Sequence, residues 1–258
     1  MRPILFSVGA FGIAAAPVFA GFAALASFFY FDRRKAGLGL NDEDFWAVIA
    51  SLATGVFAGA LGFYVLAYGG GVAINVSRIL RTRSIAGGSF LGTYLGAIIA
   101  SGLVCRARRI KFGPIADMLG GAAPLGLAVM RVGCLLNGCC YGKPTDLPWG
   151  IVFHGRSGVP PALRGIHLHP TQIYEALGSL AVFALVDRVV RPRIAAGKLR
   201  SGDGLAVSVA LYAVLRFFVD FLRAGDPGVV APLGLSLAQW IALLAAAGAI
   251  VRFAGRRA

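Results

Sequence analysis

The chain has 258 residues, 58% of them hydrophobic and only 14% charged, with a mean hydropathy of +0.77. That composition excludes an ordinary water-soluble domain, which needs a polar face to give to solvent. The formal net charge of +14 does not make the chain a nucleic-acid binder, because its basic residues are spread between apolar segments rather than gathered into one patch.

A bilayer core takes about 20 apolar residues in a helix. Windows of that length predict seven transmembrane helices, near 4–31, 45–68, 86–104, 114–136, 170–190, 203–223 and 235–253. The fold class expected is therefore an all-α integral membrane protein, a single polytopic domain over 1–258. The first span lacks a small-residue cleavage site followed by polar sequence, so it reads as a retained anchor.

In chain order, Gly55, Gly59 and Gly62 line the second span, and Gly87, Gly88, Gly92 and Gly96 line the third. Such spacings let helix backbones approach closely. Between these spans, Gly69, Gly70 and Gly71 break the helix. The stretch that follows alternates apolar and basic residues, which predicts an amphipathic arm over 69–85 lying at the headgroup level.

Arg131 stands late in the fourth span, where an arginine is costly unless paired or hydrated. Snorkelling to the headgroups is the plain alternative. Cys134, Cys139 and Cys140, with Cys105 upstream, match no zinc spacing, because C-x4-C-C lacks a second ligand pair at a suitable distance. They read as small packing residues, with a disulfide as the alternative and no metal expected. From 137 to 168 runs a long segment rich in Gly and Pro, with Trp149 at its middle, which predicts a small external cap.

The next span opens with His169-Pro170-Thr171-Gln172-Ile173-Tyr174-Glu175. Helix capping by His169 or Thr171 explains part of this polarity, with Glu175 near the positive end of the helix dipole. Gln172 and Glu175, three apart, share a face able to serve a site. The sixth span carries Arg216, Asp220 and Arg223 at i, i+4 and i+7 on one face, with Phe217, Phe218 and Phe221 on the others. Two guanidiniums against one carboxylate suit a phosphate, whose oxygens match the planar fork. A structural Arg216–Asp220 salt bridge is the alternative.

Charge asymmetry orients the spans. With the N-terminus outside, the inner segments hold 15 of the 25 basic residues, and the 188–201 loop is a plain cytoplasmic anchor. Arg78, Arg81 and Arg83 run against the rule.

Three strings, Arg131 through Gly142, HPTQIYEA and LRFFVDFLR, in this order and spacing, together resemble the bacterial phosphatidylglycerol–prolipoprotein diacylglyceryl transferase family, over nearly the whole chain. Arg131 matches the arginine of that family's G-R-x-G-N-F-x-N-G pattern, Asn137, Gly138 and Gly142 match further on, and Arg216 matches a second essential arginine. The resemblance implies a multi-pass enzyme of the bacterial inner membrane, N-terminus outside and C-terminus inside. Its partners would be phosphatidylglycerol and a prolipoprotein signal peptide bearing a lipobox cysteine, with no cofactor and no nucleic acid. The reaction implied moves diacylglyceryl onto the cysteine thiol and releases glycerol 1-phosphate. Arg131, Arg216 and Asp220 would be catalytic. Asn137, Gly138, Gly142, Gly87, Gly88, His169, Gln172, Tyr174, Glu175 and Arg223 would bind substrate.

The chain also departs from the family. Ala86 replaces a histidine, Cys134 an asparagine, Cys139 a glutamate, Asp220 a glutamate, and Val8-Gly9 a Y-G pair. The thiol-activating base is left open among Glu175, Asp220, His169, the peptide substrate and water. Two other readings stand beside transfer: a divergent relative that binds anionic lipid or lipoprotein without transfer, and an anion transporter.

Overall fold

The computed structural model describes residues 3–8, 11–67, 90–155, 157–224 and 234–254. The predicted arm over 69–85, and Ala86, Gly87 and Gly88, lie outside them. The described chain is mostly helical: α1 (Ala15–Asp32), α2 (Asp42–Ala67), α3 (Phe90–Ala107), α4 (Phe112–Asn137), α5 (Thr171–Leu185), α6 (Arg191–Ala195), α7 (Asp203–Leu222) and α8 (Leu237–Ala254). Four of these stretches, Ala15–Asp32, Asp42–Phe63, Phe112–Asn137 and Asp203–Leu222, are long and apolar enough to cross a membrane. Large apolar side chains face outward on these helices and on α8. Phe57, Leu244 and Val251 are each 70% exposed, a surface that suits hydrocarbon and not water.

Helix α1 starts later than its predicted span. Residues 4–8 and 11–14 instead form a pair of antiparallel strands, β1 (Ile4–Val8) with β2 (Phe11–Ala14). Glycine weakens helix in this stretch, and the β-branched Ile4 and Ile13 favour strand. The fifth span is also irregular, because α5 passes into a five-residue π segment, Val186–Val190, before α6.

The chain divides into two compact units, residues 32–119 and residues 1–31 with 120–258. In the first, Asn41 caps α2 by accepting from the Asp44 N–H at 2.7 Å, and Asp42, Glu43 and Asp44 occupy the positive end of the helix. Helices α2 and α3 touch through glycine. A Cβ at Gly55 or Gly59 would run into the backbone of Gly96 or Gly92, so this contact requires the small residues anticipated there. Gly62 faces open space and takes no part.

In the second unit α1 seats against α4 at Gly121, Gly126 and Gly133, whose missing side chains make room for Tyr30, Ser27 and Phe19. The Ser27 hydroxyl donates to the Ala122 carbonyl at 3.1 Å. Tyr30 reaches Asp187 at 3.0 Å, and Arg191 pairs with the same carboxylate at 2.6 Å. Helix α8 is tied to α7 by Arg252, which pairs with the fully buried Asp203 at 3.1 Å.

The segment after α4, the cap expected from the sequence, is folded. It contains the two-stranded sheet of β3 (Ile151–Val152) and β4 (His167–Leu168). Buried Tyr141, Phe153, Val159 and Leu168 form its core. Gly138, at φ 75°, ends α4 in a left-handed turn where a side chain would be strained and would crowd Ser157.

Candidate active site

Backbone hydrogen bonds join the three strings singled out in the sequence. The Gly142 N–H donates to the His169 carbonyl at 3.0 Å, the Lys143 N–H to the Leu222 carbonyl at 2.7 Å, and the Ala224 N–H to the Tyr141 carbonyl at 3.2 Å. A Cβ at Gly142 would collide with His169, which is why glycine stands at this crossing. The cap thus ties the end of α4 to the start of α5 and the end of α7.

At the centre is Glu175, fully buried on α5. Its Oε2 lies 2.9 Å from Arg131 Nη2 of α4, its Oε1 3.1 Å from Arg216 Nη1 of α7, and Arg223 Nη1 is 3.9 Å from Oε2. The Arg131 contact is out of line for a hydrogen bond and is best described as ionic. Tyr212 donates to Oε1 at 3.4 Å. Arg216 divides its fork, giving its other Nη to Asp220 Oδ1 at 2.7 Å. Asp220 also accepts a very short hydrogen bond from the Ser236 hydroxyl.

Arg131 is 7% exposed, so it is held inside by an ion pair rather than snorkelling. The Arg216–Asp220 bridge exists, but as one arm of a wider network. Three guanidiniums face two carboxylates there. The Nε atoms of Arg131 and Arg223 are buried without a partner, and a buried donor of this kind costs free energy until an acceptor reaches it.

The opening of α5 is not capped as the sequence suggested. Pro170 is the cap residue, with no side-chain capping bond. The Thr171 hydroxyl instead donates to the Cys140 carbonyl at 2.6 Å, and the Gln172 amide to the Cys139 carbonyl at 2.7 Å. His169 meets Tyr174, which also meets Trp149. The Tyr174 hydroxyl accepts from Trp149 Nε1 at 2.8 Å and lies 3.4 Å from His169 Nδ1.

The Asn137 carbonyl accepts from the Gly158 N–H at 2.9 Å, holding the cap to the end of α4. All four cysteines are free thiols. The Cys140 thiol is held well below its ordinary range by hydrogen bonds from Cys134 and Cys139, assisted by Arg131 and Arg223 and opposed by burial.

Sequence reasoning did not select Tyr212, Ser236 or Gln239. Tyr212 is one helical turn before Arg216, on the same face as Arg216, Asp220 and Arg223. Ser236 and Gln239 form a capping box at the start of α8, exchanging backbone N–H bonds at 3.1 and 2.9 Å. The S-x-x-Q pattern was the available signal.

With this geometry in place, comparison with known proteins is decisive. Residues 3–254 match the prolipoprotein diacylglyceryl transferase family. The chain belongs to that family. Proteins named phosphatidylglycerol–prolipoprotein diacylglyceryl transferase align with it from several bacteria. That of Geobacter sulfurreducens is 37% identical over 203 residues, covering 76% of this chain and 73% of its own. That of Clostridium tetani is 31% identical over 252 residues, covering 94% and 93%. That of Bordetella avium is 32% identical over 227 residues, covering 86% and 80%.

Proposed function

We propose that this family member transfers diacylglyceryl from phosphatidylglycerol to the lipobox cysteine thiol of a prolipoprotein, releasing glycerol 1-phosphate. The observation that carries the reading is the meeting of Arg131 and Arg216, from different helices, on the single carboxylate of Glu175. Had either guanidinium pointed away into hydrocarbon, no common anion site would exist.

In the reaction the substrate sulfur attacks the glycerol carbon that carries the phosphate. A C–S bond forms as the C–O bond breaks, and the electron pair leaves on the phosphate oxygen. The phosphate side therefore gains one negative charge on the way to product. Guanidiniums already fixed by Glu175 and Asp220 need no reorganisation to meet that charge, which is where preorganised donors lower a barrier. The unpaired Nε–H groups of Arg131 and Arg223 suit the phosphodiester oxygens. Asp220 orients Arg216, Glu175 holds all three arginines, and Asn137, Gly138 and Gly142 set the turn and crossing that bring Arg131 to the others. We assign seven membrane spans with the N-terminus outside and the C-terminus inside the bacterial inner membrane, the cap and arginine site at the outer leaflet, and the 69–85 arm on the outer surface.

The test is mass spectrometry of a lipobox peptide incubated with purified protein and phosphatidylglycerol. A diacylglyceryl adduct on the cysteine is expected, lost in Arg131→Ala and Arg216→Ala. Replacement of the family's histidine, asparagine and glutamate by Ala86, Cys134 and Cys139 favours one second reading, binding without transfer. That reading requires arginine-dependent lipid binding and no adduct.

A further inference from the structure

Three sulfurs gather where α4 ends. The Sγ atoms of Cys134, Cys139 and Cys140 all lie within 4.8 Å of one another. Local backbone geometry produces the convergence. Gly138 and Cys140 both take positive φ, 75° and 60°, and the chain folds back until the Cys139 N–H donates to the Cys134 carbonyl at 3.1 Å. From α5, the buried side chains of Gln172 and Thr171 hold the Cys139 and Cys140 carbonyls. A count of residues along the chain misses this arrangement, because the turn and not the spacing brings the third sulfur in.

Such a trio selects its occupant. Thiolates are soft ligands that favour Zn2+, Cd2+ or Cu+, whereas Mg2+ and Ca2+ require oxygen ligands that the three sulfurs do not provide. Zinc–sulfur bonds of about 2.3 Å place tetrahedral sulfurs about 3.8 Å apart, so the trio needs to close by about 1 Å at most. Three thiolates around a divalent ion carry one net negative charge. Arg131 Nη1 lies 3.9 Å from Cys134 Sγ and offsets it. Metal loading then cancels the excess positive charge of the arginine cluster, and directed N–H donors remain to hold the phosphodiester.

We propose that Cys134, Cys139 and Cys140 bind a thiophilic divalent metal ion of the Zn2+ class, whose open fourth position takes the thiol of the substrate cysteine. The metal site stands on the sulfur geometry alone; the role of its fourth position rests on the transferase reading. Three protein ligands and one open position mark catalytic zinc rather than structural zinc. A thiol bound to such an ion gives up its proton, here to water leaving the same position. The resulting thiolate keeps its electron pair for the C–S bond, as the phosphate oxygen takes the pair from the broken C–O bond. This supplies what the other candidates do not, since Glu175 and Asp220 are engaged in ion pairs and His169 is beside Tyr174.

The test begins with the zinc content of protein purified under reducing conditions in detergent. One zinc per chain is expected, falling to background in Cys134→Ser and Cys139→Ser and retained in Cys105→Ser. Loading with Co2+ gives a second readout that uses wild-type protein only. A sulfur-to-cobalt charge-transfer band is expected, shifting when a lipobox peptide is added and unmoved by its Cys→Ser analogue. Neither measurement includes phosphatidylglycerol, so absence of transfer does not decide them. Wild-type protein that retains no zinc and gives no cobalt–thiolate band, or that carries a disulfide within the trio as isolated, overturns the metal site. A band that the peptide thiol leaves unchanged overturns the role of the fourth position.

Discussion

Replacing Glu175 by glutamine keeps the size of the side chain and removes one charge from the centre of the site. In the wild type that carboxylate is fully buried and meets guanidiniums at 2.9 and 3.1 Å, with a third at 3.9 Å. The substitution leaves three arginines against Asp220 alone. Stripping one partner from a buried ion pair costs about 3–5 kcal/mol, because the remaining charge stays desolvated. For a chain near this size, 1 kcal/mol moves the midpoint by about 2–4 °C, so Glu175→Gln is expected to unfold about 6–20 °C below wild type. The assay is thermal unfolding in detergent at matched scan rate. Phosphatidylglycerol should recover more of this loss than a zwitterionic lipid does, since its phosphodiester replaces the missing negative charge among the arginines. A midpoint within a degree or two of wild type refutes the role of Glu175 as the hub joining α4, α5 and α7.

Arg216→Lys keeps the charge but not the fork that spans Glu175 and Asp220, and transfer should fall by about two orders of magnitude or more, measured as adduct formed per minute on a lipobox peptide. Ser236→Ala removes the cap bond of α8 and one of the two partners of Asp220 described above, and should cost about 1 kcal/mol of stability, read from the same thermal assay, together with a reduced kcat. Gly96→Val forces a branched side chain against the backbone at Gly55, and should reduce the yield of folded protein and speed proteolysis within α2 and α3 while leaving the arginine cluster intact.

Much of the site was legible because its chemistry is expensive. An arginine in an apolar span has few reasons to be there, and Arg131, Arg216 and Asp220 all fall in the network. The role of Glu175 was harder to read. Its position near a helix start invited an account in terms of the dipole, whereas its partners come from α4 and α7, about 40 residues away on either side. The strand pair at 4–8 and 11–14 was hidden by uniform apolarity, since hydropathy finds apolar length and not backbone conformation. Glycine spacing correctly marked the contact of α2 with α3, but it could not tell Gly59, which meets a neighbour, from Gly62, which does not. The cysteine trio escaped because ligand spacing rules describe common loops, and the left-handed turn at Gly138 and Cys140 is not one of them.

A shared headgroup site for Arg131 and Arg216 is tested most directly by a cryo-electron microscopy map of the protein with phosphatidylglycerol bound. Convergence of Arg131 and Arg216 on one headgroup requires the phosphate oxygens within about 3.2 Å of guanidinium nitrogens from both residues. A headgroup bound elsewhere, or held by one arginine with the other still turned wholly to Glu175, contradicts it.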